Sequence, residues 1–158
     1  MIIREFFYSL RRTCLVLAVI LLVITLASFV FIIMNTTNPV LQSIRYRYIP
    51  FIISFVAGYI SVFLFQRKLE NQSGVNLFSQ LSHYRQAYHL RSAITAFTEV
   101  FACVTGVLTS DWIAILPSVI GIIFIVTNLP HPEKCILELS VDTGDAALIR
   151  NPESQINP

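Results

Sequence analysis

The stretch TCLVLAVILLVITLASFVFIIM, from Thr13 to Met34, carries no charged residue. A helix that crosses a bilayer needs about 20 predominantly apolar residues, within a range of roughly 17–25. This run meets that length. Arg4, Arg11 and Arg12 precede it, as basic residues precede the core of a signal peptide. The apolar run outlasts the roughly 7–15 residues of such a core, so it reads as a retained anchor.

Working outward, three further stretches have the same character. Ile49 to Phe65 is uncharged, Ser92 to Thr109 is interrupted by Glu99, and Trp112 to Leu129 is uncharged. The composition agrees. Apolar residues make up 55% of the 158 and charged residues 13%, about half the charged share of a soluble domain. A soluble globular enzyme, a disordered chain and a secreted disulfide scaffold are all disfavoured. The expected fold class is all-α: a polytopic membrane protein with four transmembrane helices arranged as two antiparallel hairpins, and a short amphipathic C-terminal segment. The domain organisation follows as an N-terminal arm (1–12), a four-helix membrane domain (13–129) and a tail (130–158).

Basic residues set the expected orientation. Arg4, Arg11, Arg12, Arg67, Lys68, Arg85, Arg91, Lys134 and Arg150 fall on one side, and Arg45 and Arg47 on the other. The positive-inside rule then places both termini and the middle loop in the cytoplasm. The expected location is a bacterial cytoplasmic membrane. No block of five basic residues exists, so nucleic acid is not an expected partner.

The connections are informative. Ser110 and Asp111 alone separate the third and fourth spans, which must therefore be antiparallel neighbours, with Asp111 capping the fourth helix. Pro39 marks a turn between spans one and two. In the middle loop, Glu70 to Gly74 reads as a turn. After Asn76, Leu77, Phe78, Leu81, Tyr84 and Tyr88 recur at helical spacing. That pattern fits either a surface helix or an extension of helix three back to about residue 77, and the lack of Pro or Gly from Asn76 to Gly106 favours the extension. Pro117 is expected to kink helix four. Pro130 and Pro132 stop it. Glu133 to Leu139 is expected to be helical, Asp145 to Arg150 to add a turn or two, and residues 151–158 to be disordered.

Glu99 is the informative side chain. It lies near mid-membrane, where an ionisable group costs several kcal/mol unless paired, protonated or hydrated. Thr95 lies one turn before it, and Ala102, Cys103 and Gly106 continue a small-residue face. Two readings compete: an ion or proton site formed by Glu99 with Thr95, or a structural acid bonded to a hydroxyl on another helix. The hydroxyls in view are Thr25, Ser28, Ser54, Ser61 and Ser118. Arg91 is roughly 12 Å away along the helix axis at 1.5 Å per residue, too far to pair, and reads as an interfacial snorkelling residue.

Small residues at four-residue spacing mark helix packing. They are Ser54 and Gly58, then Ala57 and Ser61, on helix two, Ala102 and Gly106 on helix three, and Pro117 and Gly121 on helix four with Ala114 and Ser118 alongside. Cys14, Cys103 and Cys135 form no C-x-x-C and read as packing residues. His83 and His89, six positions apart, point to opposite helix faces, so with His131 they make no metal motif. No cofactor is implied. The sequons at Asn35 and Asn71 carry no weight.

The string AITAFTEVFACVTGVLTSDW, Ala93 to Trp112, resembles the second helix of the rotor-ring proteolipids of rotary ATPases, where a Glu sits among small and apolar residues. The resemblance implies a carboxylate role for Glu99. The Gly-rich first helix of that family has no counterpart here, because Gly58 is the only glycine in the first two spans. From about Tyr84 to Ser140 the chain also resembles a group of small bacterial four-helix membrane proteins. In these a Glu-bearing helix is followed by a short turn, an apolar helix and a Pro-rich exit, here Pro130 to Leu139. That second resemblance implies architecture and no activity.

The expected function is therefore that of a non-enzymatic integral membrane protein. It would be an accessory or assembly component whose partners are the lipid bilayer and other membrane subunits or further copies of itself. The alternative is a small oligomeric proton- or ion-coupled transporter or channel using Glu99.

Overall fold

The computed structural model describes residues 2–34, 44–70 and 76–156. Pro39, the Asn35 and Asn71 sequons and most of the Glu70–Gly74 turn lie outside the described residues. The elements are α1 (Ile3–Met34), α2 (Ile44–Glu70), α3 (Leu77–Thr109), a 3-10 turn (Trp112–Ile115), α4 (Leu116–Thr127), α5 (Pro132–Leu139) and α6 (Thr143–Arg150). The fold is all-helical. Among the described residues the only strand-like pairing is an isolated bridge between Ile2 and Gln155.

Three helices, α1, α3 and Tyr46–Glu70 of α2, are long and apolar enough to cross a membrane. A fourth reaches that length only if Trp112–Thr127 is joined to α5 across a 94° bend. Helices suit this composition because a backbone in lipid must satisfy its own hydrogen bonds.

α3 is the central element and packs on α1, α2 and α4. It starts at Asn76, whose side chain accepts a bond from Phe78 N–H at 3.4 Å. It ends at Ser110, which adopts the left-handed conformation with φ 51°. There the Asp111 N–H returns to Gly106 O at 3.0 Å, the closure typical of a left-handed helix end. Asp111 then caps the 3-10 turn by accepting from Ile113 N–H at 3.0 Å, and it pairs with Arg47 of α2. Gly106 leaves room for this return, since a β-carbon there would lie 2.5 Å from Ile115 Cγ1.

The larger core lies toward the end of the bundle that holds the chain's N-terminus. α1 buries Ile3, Phe6, Phe7, Leu10, Cys14 and Ala18 at three- and four-residue spacing. Against them pack Phe65 and Leu69 of α2, Leu77, Leu81, Tyr84 and Tyr88 of α3, and Cys135, Ile149 and Ile156 of the tail. Phe65, Tyr84 and Tyr88 form an edge-on and tilted aromatic cluster with centroids 4.9–6.2 Å apart. Toward the other end a small cluster of Ile32, Cys103 and Ile115 is buried, and the other buried residues are small or hydroxylic: Thr25, Ser61, Ala102, Gly106, Ala114 and Ser118. Many large apolar side chains there face outward, as with Val23, Phe55 and Phe97. Lipid is as apolar as leucine, so packing of small residues rather than water exclusion holds membrane helices together.

Residues 3–12 belong to α1, and residues 3–10 carry part of the core. Two expectations are corrected. Pro117 does not kink α4. It stands in the first turn after the 3-10 turn, where its missing N–H has no intrahelical partner to lose. The segment beyond Arg150 is ordered as far as Ile156. Ile3 N–H donates to Ser154 O and Arg4 N–H to Pro152 O, both at 3.2 Å, while Ile156 is buried. The first N–H groups of any helix lack partners within it, and this tail supplies two of them.

Candidate functional site

Glu99 faces the interior from α3 and is 2% exposed. Neither carboxylate oxygen has a hydrogen-bond partner among the described residues. Its side chain lies against Gly121 of α4, where an added β-carbon would meet Oε1 at 2.3 Å and Cγ at 2.8 Å. Any larger residue at 121 would displace the carboxylate.

Three of the hydroxyls that were candidate partners for Glu99, those of Thr25, Ser61 and Ser118, are engaged elsewhere. Thr25 Oγ1 lies 3.2 Å from Ser118 Oγ and 3.7 Å from Cys103 Sγ. Thr25 also reaches Leu21 O, and Ser118 reaches Ile115 O, each at 2.8 Å. Ser61 donates to Gly58 O. Thr95 donates to Arg91 O at 3.0 Å and Thr98 to Thr95 O at 2.8 Å. Thr95 is thus beside Glu99 on the same helix without bonding to it.

Beside this carboxylate a lateral groove of about 560 Å³ opens between α2, α3 and α4. α2 contributes Phe51, Ser54, Phe55, Gly58, Tyr59 and Val62; α3 contributes Thr95 and Thr98; α4 contributes Pro117, Ile120, Gly121 and Phe124. Both threonine hydroxyls are turned to their own backbone, so the lining is almost wholly apolar. The predicted packing residues therefore divide. Ala102, Gly106 and Ser118 are buried within the chain, whereas Ser54 and Gly58 face the groove. A β-carbon on Gly58 would meet nothing within 4 Å. Gly121 serves both surfaces.

At the tail-covered end of the groove stands Arg91. Its guanidinium lies 4.6 Å from the centre of the Phe124 ring and 5.2 Å from that of Phe65, a cation–π arrangement on both. Its Nε has no hydrogen-bond partner among the described residues. Beyond it a second, polar cavity of about 1140 Å³ lies between α2, α3 and the tail. Lys134 Nζ donates to Asn128 Oδ1 at 2.8 Å, and the Tyr84 hydroxyl donates to Glu138 Oε2 at 2.9 Å. Burial pushes the Glu138 carboxyl up and the Lys134 ammonium down from their ordinary ranges, because both charged forms lose water. Burial also raises the Cys135 thiol.

Among the described residues no three His, Cys, Asp or Glu side chains converge to hold a metal ion. His131 instead caps α5 by accepting from Glu133 N–H at 3.3 Å. Sequence reasoning missed the convergence of Arg91, Lys134, Asn128 and Glu138. The only signal was the one-sided spread of basic residues, which does not say that helix and tail residues meet. No protein-family model, no curated protein and no solved structure matches this chain.

Proposed function

We propose that this chain is a non-enzymatic integral membrane protein, an accessory or assembly component of a larger membrane complex, working through the α2–α3–α4 face. The observation that carries this reading is the placement of Ser54, Gly58 and Gly121 in an open apolar groove. These small residues are suited to close approach; a β-carbon at Gly58 would meet no part of the described chain within 4 Å, while Gly121 is backed by Glu99. In this reading the spans form two antiparallel hairpins, both termini lie in the cytoplasm and the host membrane is a bacterial cytoplasmic membrane. The spread of basic residues supports that orientation. Gly58→Leu projects a side chain into the groove from a position where a β-carbon meets nothing within 4 Å. Purification in mild detergent should yield the wild type with other membrane subunits in fixed ratio, and Gly58→Leu without them. A wild type that purifies alone would overturn the proposal.

A second reading is a proton- or ion-coupled transporter or channel centred on Glu99. The buried, unpartnered carboxylate favours it, because intramembrane acids of this kind mark ion and proton paths. A pH-gradient-driven flux in proteoliposomes that is lost in Glu99→Gln would establish it over the first. Equal flux in both proteins would remove it.

A further inference from the structure

The lateral groove and the polar cavity are neighbours. Val62 lines both. A void of about 10 Å³ beside them is lined by Thr95 and Phe124, which also line the groove, and by Arg91 and Asn128, which also line the cavity. The apolar surface therefore gives way to the polar one near Arg91, where a bilayer passes from acyl chain to headgroup. The charges are also layered. Arg91 and Lys134 are half-buried, while Glu70 and Asp142 at the cavity's edge are exposed and Asp145 is half-buried. A purely anionic group would find cations within but carboxylates around the mouth. A zwitterion with its phosphate inward and an amine outward matches both layers.

We propose that groove and cavity form one phospholipid site: an acyl chain lies between α2 and α4, the phosphate sits at Arg91 and Lys134, and a headgroup amine faces Glu70, Asp142 and Asp145. This rests on the reading of the groove as the working face and names its occupant. The seated lipid completes the surface that a partner subunit meets. The groove's volume lies within the roughly 300–1,000 Å³ usual for small-molecule sites. Arg91 is suited to the phosphate, because the two rings hold its planar fork and leave Nε unmatched. Glu138 also lines the cavity, where its Oε2 is taken up by the Tyr84 hydroxyl and burial raises its carboxyl above the ordinary range.

The test uses the full chain in phosphatidylcholine nanodiscs containing a trace of phosphatidylethanolamine with a diazirine near the end of one acyl chain. Photolabelling should concentrate on Phe55, Tyr59 and Ile120 and spare the outward residues Val19 and Val23 of α1. Lys134→Gln should lower the yield at least threefold and Val62→Trp at least fivefold, with helicity by circular dichroism confirming that both variants fold. The matching phosphatidylglycerol probe should label several-fold less. Millimolar O-phosphoethanolamine should not compete, since the chain supplies much of the binding. Even labelling over all lipid-facing helices, or full competition by the free headgroup, would overturn the proposal. Even labelling in a protein whose Gly58→Leu variant loses its co-purifying subunits removes the lipid and keeps the docking face. Even labelling in a protein that purifies alone removes both.

Discussion

The carboxylate of Glu99 rests against Gly121 so closely that a β-carbon there would lie 2.3 Å from Oε1. One helix thus carries a buried acid, and its neighbour carries the one residue type that makes room for it. Neither oxygen of that acid has a hydrogen-bond partner among the described residues. The pair predicts opposite effects for two substitutions.

Gly121→Ala should destabilise the protein by about 1–3 kcal/mol, the usual cost of overpacking. Thermal unfolding in detergent measures it. In a Glu99→Ala background the same change should cost much less, because the clashing atoms are gone. Equal cost in both backgrounds would mean that Gly121 answers to another neighbour.

Glu99→Met should stabilise the protein by about 1–3 kcal/mol, since it replaces an unsatisfied buried polar group with an apolar one of similar size. The same unfolding measurement decides this. A loss of stability would show that Glu99 has a partner in the folded protein.

Ile156→Ala should destabilise by about 2 kcal/mol or more, as truncation of a buried isoleucine does. Removal of residues 151–158 should cost more, because it also strips carbonyl partners from Ile3 and Arg4. A truncated chain with unchanged stability and unchanged proteolysis at residues 2–10 would contradict the packing of the tail on α1.

Glu138 predicts a pH dependence. Burial holds its carboxyl above the ordinary range, so the folded chain takes up this proton at a higher pH than the unfolded chain does. Its contribution therefore opposes folding above the folded pKa and is relieved as pH falls through that value. Glu138→Gln keeps an acceptor for the Tyr84 hydroxyl and removes the charge. It should be the more stable protein at neutral pH, with the difference from wild type shrinking on acidification. A difference independent of pH would place Glu138 in water.

Much of the architecture is legible along the chain. The apolar runs that begin at Thr13, Ile49 and Ser92 fall in helices long and apolar enough to cross a membrane, which lipid requires because it tolerates little charge, and α3 reaches back to Leu77 through a periodic pattern that no Pro or Gly interrupts. Asp111 was legible as a cap because its position depends on residues two and three places away. Its partner Arg47 was not, since the pairing joins distant parts of the chain. Pro117 misled for a related reason. Its effect depends on whether it stands inside a helix or at its start, and the 3-10 turn that decides this is set by the return of the chain past Gly106.

Sequence alone therefore determined the all-helical class, the approximate apolar segments and the isolation of Glu99 as the single acid within them. These follow from composition and from interactions spanning one helical turn. Only the tertiary structure decided that Thr25 and Ser118 meet each other and not Glu99, that the tail folds back on α1, and that an apolar groove and a polar cavity lie side by side near Arg91. Each of these depends on how helices are rotated and stacked against one another. Membrane helices are apolar all round, so hydrophobic patterning specifies that rotation poorly, and the fit of small side chains such as Gly121 decides it instead.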